Sequence, residues 1–135
     1  MALPFLDTNI LLRHLLHDVP DQSARCTAYL KRVERGEVQV RTVDTVIFET
    51  VFTLQRTYKV SKAAIAQALL PLIELPGIVL PNKRRYRAAF DLYLNLNLPF
   101  ADAYHAAVMR SLKLTEIITF DREFNRVPGI NRHEP

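Results

Sequence analysis

Residues 3–16 read LPFLDTNILLRHLL, and the fold turns on how the seventh residue of the chain is read. Leu3, Pro4, Phe5 and Leu6 have the length and character of a short strand. Ile10, Leu11, Leu12, Leu15 and Leu16 repeat at the spacing of a helix face. Asp7 stands where the two meet. An aspartate is almost never fully buried unless it is paired, so a carboxylate at the junction of two apolar stretches requires a partner elsewhere in the chain. Strand, acid and helix in that order are also the opening of an α/β unit.

Working outward, the same alternation continues. The spacing predicts a strand at 3–6 and a helix at about 9–16. A second helix carries Pro20 in its first turn and ends near Gly36. VQVRTV (38–43) alternates with period two and reads as a strand. Asp44 is then placed to cap a helix bearing TVIFETVFTLQRTY, and Ser61 to cap KAAIAQALL, which Pro71 should kink or end. GIVL (77–80) reads as a strand and KRRYRAAFDLYLNL as a helix. Pro99 opens a helix over FADAYHAAVMRSLK, EIITF (116–120) reads as a buried strand, REFNRV as a short turn, and a last edge strand lies near Ile130. Strands alternating with helices imply an α/β sandwich, a mainly parallel sheet and right-handed crossovers. In such sheets ligands sit outside the carboxyl ends of the strands.

A chain of 135 residues is expected to form one domain, residues 1–135. Its composition, 49% apolar and 24% charged, is that of an ordinary globule rather than a disordered or membrane-embedded chain. No charged-then-apolar leader and no apolar run near the length of a membrane span is present, so a cytoplasmic protein is expected. The lone Cys26 excludes an internal disulfide and should pack as a small hydrophobe. Only three glycines are present, which excludes a glycine-rich phosphate loop. A formal charge of +4 leans toward a polyanionic partner such as nucleic acid.

Four acids break the local pattern. Asp7 and Asp121 each follow a predicted strand, at the same sheet edge if the strands are parallel. Glu49 lies inside VIFETVF, between Phe48 and Phe52, where a buried ion pair is the alternative reading. Asp102 falls in the first turn of an otherwise small and apolar helix. Each aspartate taken singly could be a cap or turn residue; the set is harder to explain so. Two unit charges about 4 Å apart repel by about 4 kcal/mol at an effective dielectric near 20. Converging carboxylates therefore need a cation or must take up protons. His14 and His17 read as a solvated face, and no cysteine–histidine set for zinc exists. Hard oxygen ligands alone point to Mg²⁺ or Mn²⁺. Thr8, Asn9 and Thr119 stand beside the acids and could support a bound water or phosphate oxygen.

In order and spacing, FLDTNILLRHL, the glutamate of VIFETVFTL, FADAYHAA and TFDREF resemble the motifs of the PIN-domain ribonucleases, and most closely the VapC-type toxins of bacterial toxin–antitoxin pairs. The resemblance runs through essentially the whole chain, including LPGI before the middle strand. It implies a three-layer α/β/α PIN-like domain with a mainly parallel central sheet. It also implies a Mg²⁺- or Mn²⁺-dependent site that hydrolyses RNA phosphodiester bonds. The family's four acids fall on Asp7, Glu49, Asp102 and Asp121, which would be both catalytic and metal-binding. A homodimer and a cognate antitoxin are the partners the resemblance implies. Some relatives carry a further acidic position after the fourth, and both Glu123 and Asn125 stand near it.

NKRRYR (82–87) is the densest basic cluster. Were Asn82 a helix cap, Lys83, Arg84 and Arg85 would sit at the positive helix end, against the macrodipole, which suggests RNA phosphate contact. Arg122 could add to it. Two competing readings are a catalytically silent PIN-like module that binds RNA or protein, and a phosphohydrolase with a nucleophilic aspartate. The silent module is disfavoured because all four acids are present. The phosphohydrolase is disfavoured because Asn9 occupies the place where a second acid is usual.

Overall fold

The computed structural model describes residues 2–135, which divide into two compact units, Met1–Lys83 and Arg84–Pro135. In the first unit, α1 (Thr8–Leu16) and α2 (Pro20–Glu34) precede β1 (Val40–Arg41), α3 (Asp44–Arg56), α4 (Lys62–Ile73) and β2 (Ile78–Val79). β1 and β2 run parallel, with Val40 opposite Ile78 and Arg41 opposite Val79. The predicted first strand is shorter than expected. Phe5 makes a single parallel bridge to Arg41, supported by Leu6 N–H donating to the Arg41 carbonyl and Arg41 N–H to that of Pro4.

Helix boundaries in this unit follow from local chemistry. Pro20 occupies the first turn of α2, where its missing N–H costs nothing. The helix stops at Gly36, whose φ of +76° lets the Glu37 N–H reach back to the Arg32 carbonyl. The Ser61 side chain accepts from Ala64 N–H and caps α4 as expected. Pro71 does not end that helix, which runs on to Ile73. The carbonyl that its ring leaves unbonded, four residues back at Gln67, lies on the exposed face, where water can satisfy it. Asp44 is the first helical residue of α3 rather than its cap, which is Val43.

On α3 the buried residues are Val46, Ile47, Thr50, Val51 and Leu54, one continuous stripe of a 3.6-residue helix. Glu49 therefore faces away from the core and is exposed, as is Phe52. The expectation of a charge buried between phenylalanines fails because Phe48 and Phe52 both fall outside the stripe, Phe48 half-buried and Phe52 exposed. α2 approaches β2 so closely at Gly77 that a Cβ there would lie 2.8 Å from Val33 Cγ1. Cys26 is buried on α2, as expected of a small hydrophobe.

The second unit is built on α5 (Arg85–Asn95) and α6 (Phe100–Ser111), joined by a short connection in which Asn97 takes φ +51°. Tyr86, Phe90, Tyr93, Phe100 and Tyr104 form its aromatic core, with ring centroids 4.9–6.2 Å apart. Ala103, Ala106 and Ala107 are buried on the α6 face and give no bulk to hold a neighbour away. β3 (Glu116–Ile118) and β4 (Asn131–His133) pair in parallel, Ile117 opposite Arg132, with a 3-10 turn (Arg122–Arg126) between them. β3 is not the buried strand its sequence suggests. Its one strand partner among the described residues is β4, and Ile118 and Phe120 are 67% and 72% exposed. No helix among the described residues is long and apolar enough to cross a membrane.

The basic cluster is organised differently from a capped helix start. Asn82 adopts φ +57° in a turn, and the residue before the first helical position is Arg84. Lys83 Nζ donates to the carbonyls of Leu75 and Ile78, both at 2.7 Å, and burial lowers its pKa. Lys83→Met leaves those two carbonyls without their donor and should destabilise the protein by about 1–3 kcal/mol in urea unfolding. Arg84→Met, at an exposed position, should stay within about 0.5 kcal/mol of the parent.

Candidate metal centre

Pro99 fixes the backbone entry into α6 with φ −54°, and Asp102 falls in the first turn of that helix, half-buried. A carboxylate is favoured there by the helix dipole. Asp121 follows β3, and its backbone N–H donates to Thr119 Oγ1 at 3.0 Å. Its own Oδ1 accepts the Glu123 N–H at 2.9 Å, capping the 3-10 turn. That cap curls the chain so that Glu123 comes back beside Asp121, while the buried Phe124 pins the turn to the core. Arg126 Nη1 then donates to the carbonyls of Leu96 and Asn97, at 3.2 and 3.1 Å, tying the turn to the connection that leads into α6.

The outcome is a set of three carboxylates. One oxygen from each of Asp102, Asp121 and Glu123 lies within 4.8 Å of the other two. At that separation two unit charges repel by about 3–4 kcal/mol at an effective dielectric near 20. The cluster answers in part with a proton. The Asp102 carboxyl is pushed up to about 6, first by burial, then by its hydrogen bond to Asp121 and the charge of Asp121, and then by Glu123. A second sign of incompleteness is Glu123 Oε2, which is buried without a hydrogen-bond partner. An orphaned carboxylate oxygen is costly unless a cation or donor meets it. Three hard oxygen donors on two elements, one of them orphaned, fit a hard divalent cation such as Mg²⁺ or Mn²⁺ and offer nothing to a soft one.

Of the residues picked out from sequence, the second unit brings together Asp102 and Asp121, with Thr119 holding the Asp121 amide and Arg122 exposed beside it. Glu123, not Asn125, joins the cluster; Asn125 Oδ1 instead accepts from Arg132 Nε at 3.3 Å. The Asp-x-Glu spacing was visible in the sequence, but choosing Glu123 depends on the turn that the Asp121 cap creates. Asp7 and Glu49 belong to the first unit. Asp7 sits at the cap position of α1, yet its side chain makes no capping bond, so the ordinary structural use of an aspartate there is not taken up. Thr8 is 2% exposed and its Oγ1 lacks a hydrogen-bond partner. Asn9 lines an open groove of about 620 Å³ with Pro4, Phe5, Ile10 and Tyr29. His14 is half-buried and meets Thr27 Oγ1 at 2.8 Å, so it is not the freely solvated residue expected, whereas His17 is exposed.

Residues 5–130 match the family model of the PIN domain. No curated protein matches the chain.

The titration of Asp102 has a definite sign. Its carboxyl holds a proton more tightly in the folded chain, near 6, than at the ordinary value of 3.8. The metal-free protein should therefore be more stable near pH 4 and lose that increment as the pH rises to about 6. Thermal melts across this window should show the decline, and Asp102→Asn should flatten it. In carbon-detected NMR titrations, Asp121→Asn should move the Asp102 midpoint down toward the ordinary range.

Proposed function

The chain belongs to the PIN-domain family, and from that membership we propose that it is a Mg²⁺- or Mn²⁺-dependent endoribonuclease. PIN domains are metal-dependent nucleases of α/β/α architecture, and the parallel strand pairs and six helices agree with that class. The observation that carries the reading is the carboxylate cluster of Asp102, Asp121 and Glu123 with its orphaned oxygen. We take Asp7, Glu49, Asp102 and Asp121 as the catalytic and metal-binding acids, with Glu123 as a fifth. The first two rest on the order of the sequence motifs, within one PIN-like domain spanning 1–135.

Asp102, Asp121 and Glu123 would hold a divalent cation, which would supply Lewis acidity toward a phosphate and lower the pKa of a nearby water. The chain's own residues set the conditions for it. Alone, the acidic set would repel an RNA phosphodiester, so a metal there would favour substrate binding at the site. Asp102 holds a proton below about pH 6 and is ionised above it, the form in which it can serve as a ligand or accept a proton from water. Thr119 fixes the backbone that aims Asp121. Arg122, Arg84 and Arg85 offer cations for phosphates flanking the cut, whereas the Lys83 ammonium is already taken up by two carbonyls.

The more specific reading is that of a VapC-like toxin, a cytoplasmic homodimer held in check by a cognate antitoxin. It is supported by the order of the four acidic motifs over a chain of this length.

The test is incubation of the purified chain with mixed RNA, with Mg²⁺ or Mn²⁺ and with EDTA, followed by sequencing of new ends. Cleavage is expected with metal and none with EDTA. Asp7→Asn and Asp102→Asn should abolish it, and Asp102→Asn should leave metal-free stability equal or higher because it relieves repulsion. Metal at 100 times its dissociation constant should add about 2.7 kcal/mol to the parent. Undiminished cleavage by the Asp7→Asn protein, or cleavage that survives EDTA, overturns the proposal.

A further inference from the structure

Of the three acids of the second unit, Asp102 is held by α6, whereas the other two lie on a segment with little regular structure of its own. Asp121 and Glu123 lie on the segment 119–125, which leaves β3 and enters a 3-10 turn of only five residues. Such a turn has few internal hydrogen bonds and poor geometry, and mutual repulsion of the carboxylates pushes it open. The Asp121 cap, the buried Phe124 and Arg126 hold the turn itself, and the stretch from Thr119 to Asn125 is spanned by one further group.

The guanidinium of Arg132 spans it from both ends. Arg132 is the middle residue of β4, paired with Ile117 in register, and its side chain is 15% exposed. Its Nη1 donates to the Thr119 carbonyl at 3.2 Å, just before Asp121, and its Nε donates to Asn125 Oδ1 at 3.3 Å, just after Glu123. Nη1 also meets Glu134 Oε2 at 2.8 Å, which holds the guanidinium from the far side. The Thr119 N–H donates to the His133 carbonyl at 2.9 Å, so the same residue is fastened to β4 through both its N–H and its C=O. A planar fork with several fixed donors can bridge two acceptors of this kind, and an ammonium cannot reproduce it.

We propose that Arg132 is a positioning residue of the metal centre, a brace on β4 that spans the segment 119–125 and keeps Asp121 and Glu123 turned toward Asp102. The proposal rests on the reading of these acids as metal ligands. It assigns a role to the C-terminal strand that no acidic motif indicates. Groups that orient metal ligands without touching the metal typically change affinity or activity by about 10–100-fold when removed. Arg132 itself contacts no ligand carboxylate in this arrangement; it acts through the backbone of Thr119 and the side chain of Asn125.

The experiment uses the full chain as parent, Arg132→Met, Arg132→Lys and Asn125→Ala. Mn²⁺ affinity is measured from the free-ion EPR signal, and amide hydrogen exchange is followed in the metal-free proteins. Arg132→Met should weaken Mn²⁺ binding by about tenfold or more. It should also speed exchange of the Asp121 and Glu123 amides while leaving the amides of α5 and α6 protected. Arg132→Lys should recover part of the loss, and Asn125→Ala should show a smaller loss of the same kind. In RNA cleavage at saturating metal, kcat should fall with KM little changed. If a folded Arg132→Met binds Mn²⁺ as the parent does, or if its exchange rises uniformly across the unit, the brace is overturned. Should Arg132→Met fail to fold, parental Mn²⁺ affinity in Asn125→Ala overturns it instead. A parent that binds no Mn²⁺ defeats the metal-centre reading, and the exchange pattern in the metal-free proteins still decides whether Arg132 braces the segment.

Discussion

Like-charge repulsion among Asp102, Asp121 and Glu123 is the constraint around which the second unit is arranged. Three carboxylate oxygens within 4.8 Å of one another are an unfavourable thing to fold. Several parts of the unit hold the acids against that cost. An aromatic core of five rings fixes α5 against α6 and so fixes Asp102. Phe124 buries the middle of the 3-10 turn, Arg126 ties the turn to the α5–α6 connection, and Arg132 spans it from β4. A raised pKa at Asp102 and an unpartnered oxygen on Glu123 are what remains after all of this. Local rules broken together in one place, with compensation nearby, are characteristic of a functional site rather than a folding accident.

The first unit treats its own acids in the opposite way. The buried stripe of α3 leaves Glu49 outside, and the cap position of α1 holds Asp7 without engaging its side chain. Both carboxylates are exposed. In a protein where Ser61 and Asp121 both perform capping in full view, an aspartate at a helix start that caps nothing is left available for chemistry. Lys83 shows the converse: a residue in the densest basic cluster is committed to two backbone carbonyls.

Much of this was legible in the sequence, and the failures share a cause. Helices α2, α4 and α6 followed from punctuation that acts locally: Pro20, Gly36, Ser61 and Pro99 each work through their own backbone or the next turn. Pro71 does not end α4 because the carbonyl its ring leaves unbonded lies on the exposed face, which the sequence around it does not announce. The β3 segment misled because a run of apolar residues says nothing about how many strands will flank it. Glu49 misled because Phe52, three residues on and on the same side of the helix, is itself exposed. At the site, Asp102 and Asp121 announced themselves as acids in apolar surroundings. Glu123 stayed undecided beside Asn125 until the Asp121 cap set the direction of the turn. Arg132 left no local signal at all, since its partners lie 13 and 7 residues away and only the β3–β4 register brings it to them.

The account stands or falls on whether these oxygens are built to receive a cation. Diffraction from a crystal of the full chain soaked in Mn²⁺, collected at the manganese absorption edge, answers that most directly. The account predicts an anomalous peak at coordinating distance from Asp102, Asp121 and Glu123, lost on removal of the metal. A well-ordered cluster with no peak beside it, or manganese bound only elsewhere on the molecule, would contradict it.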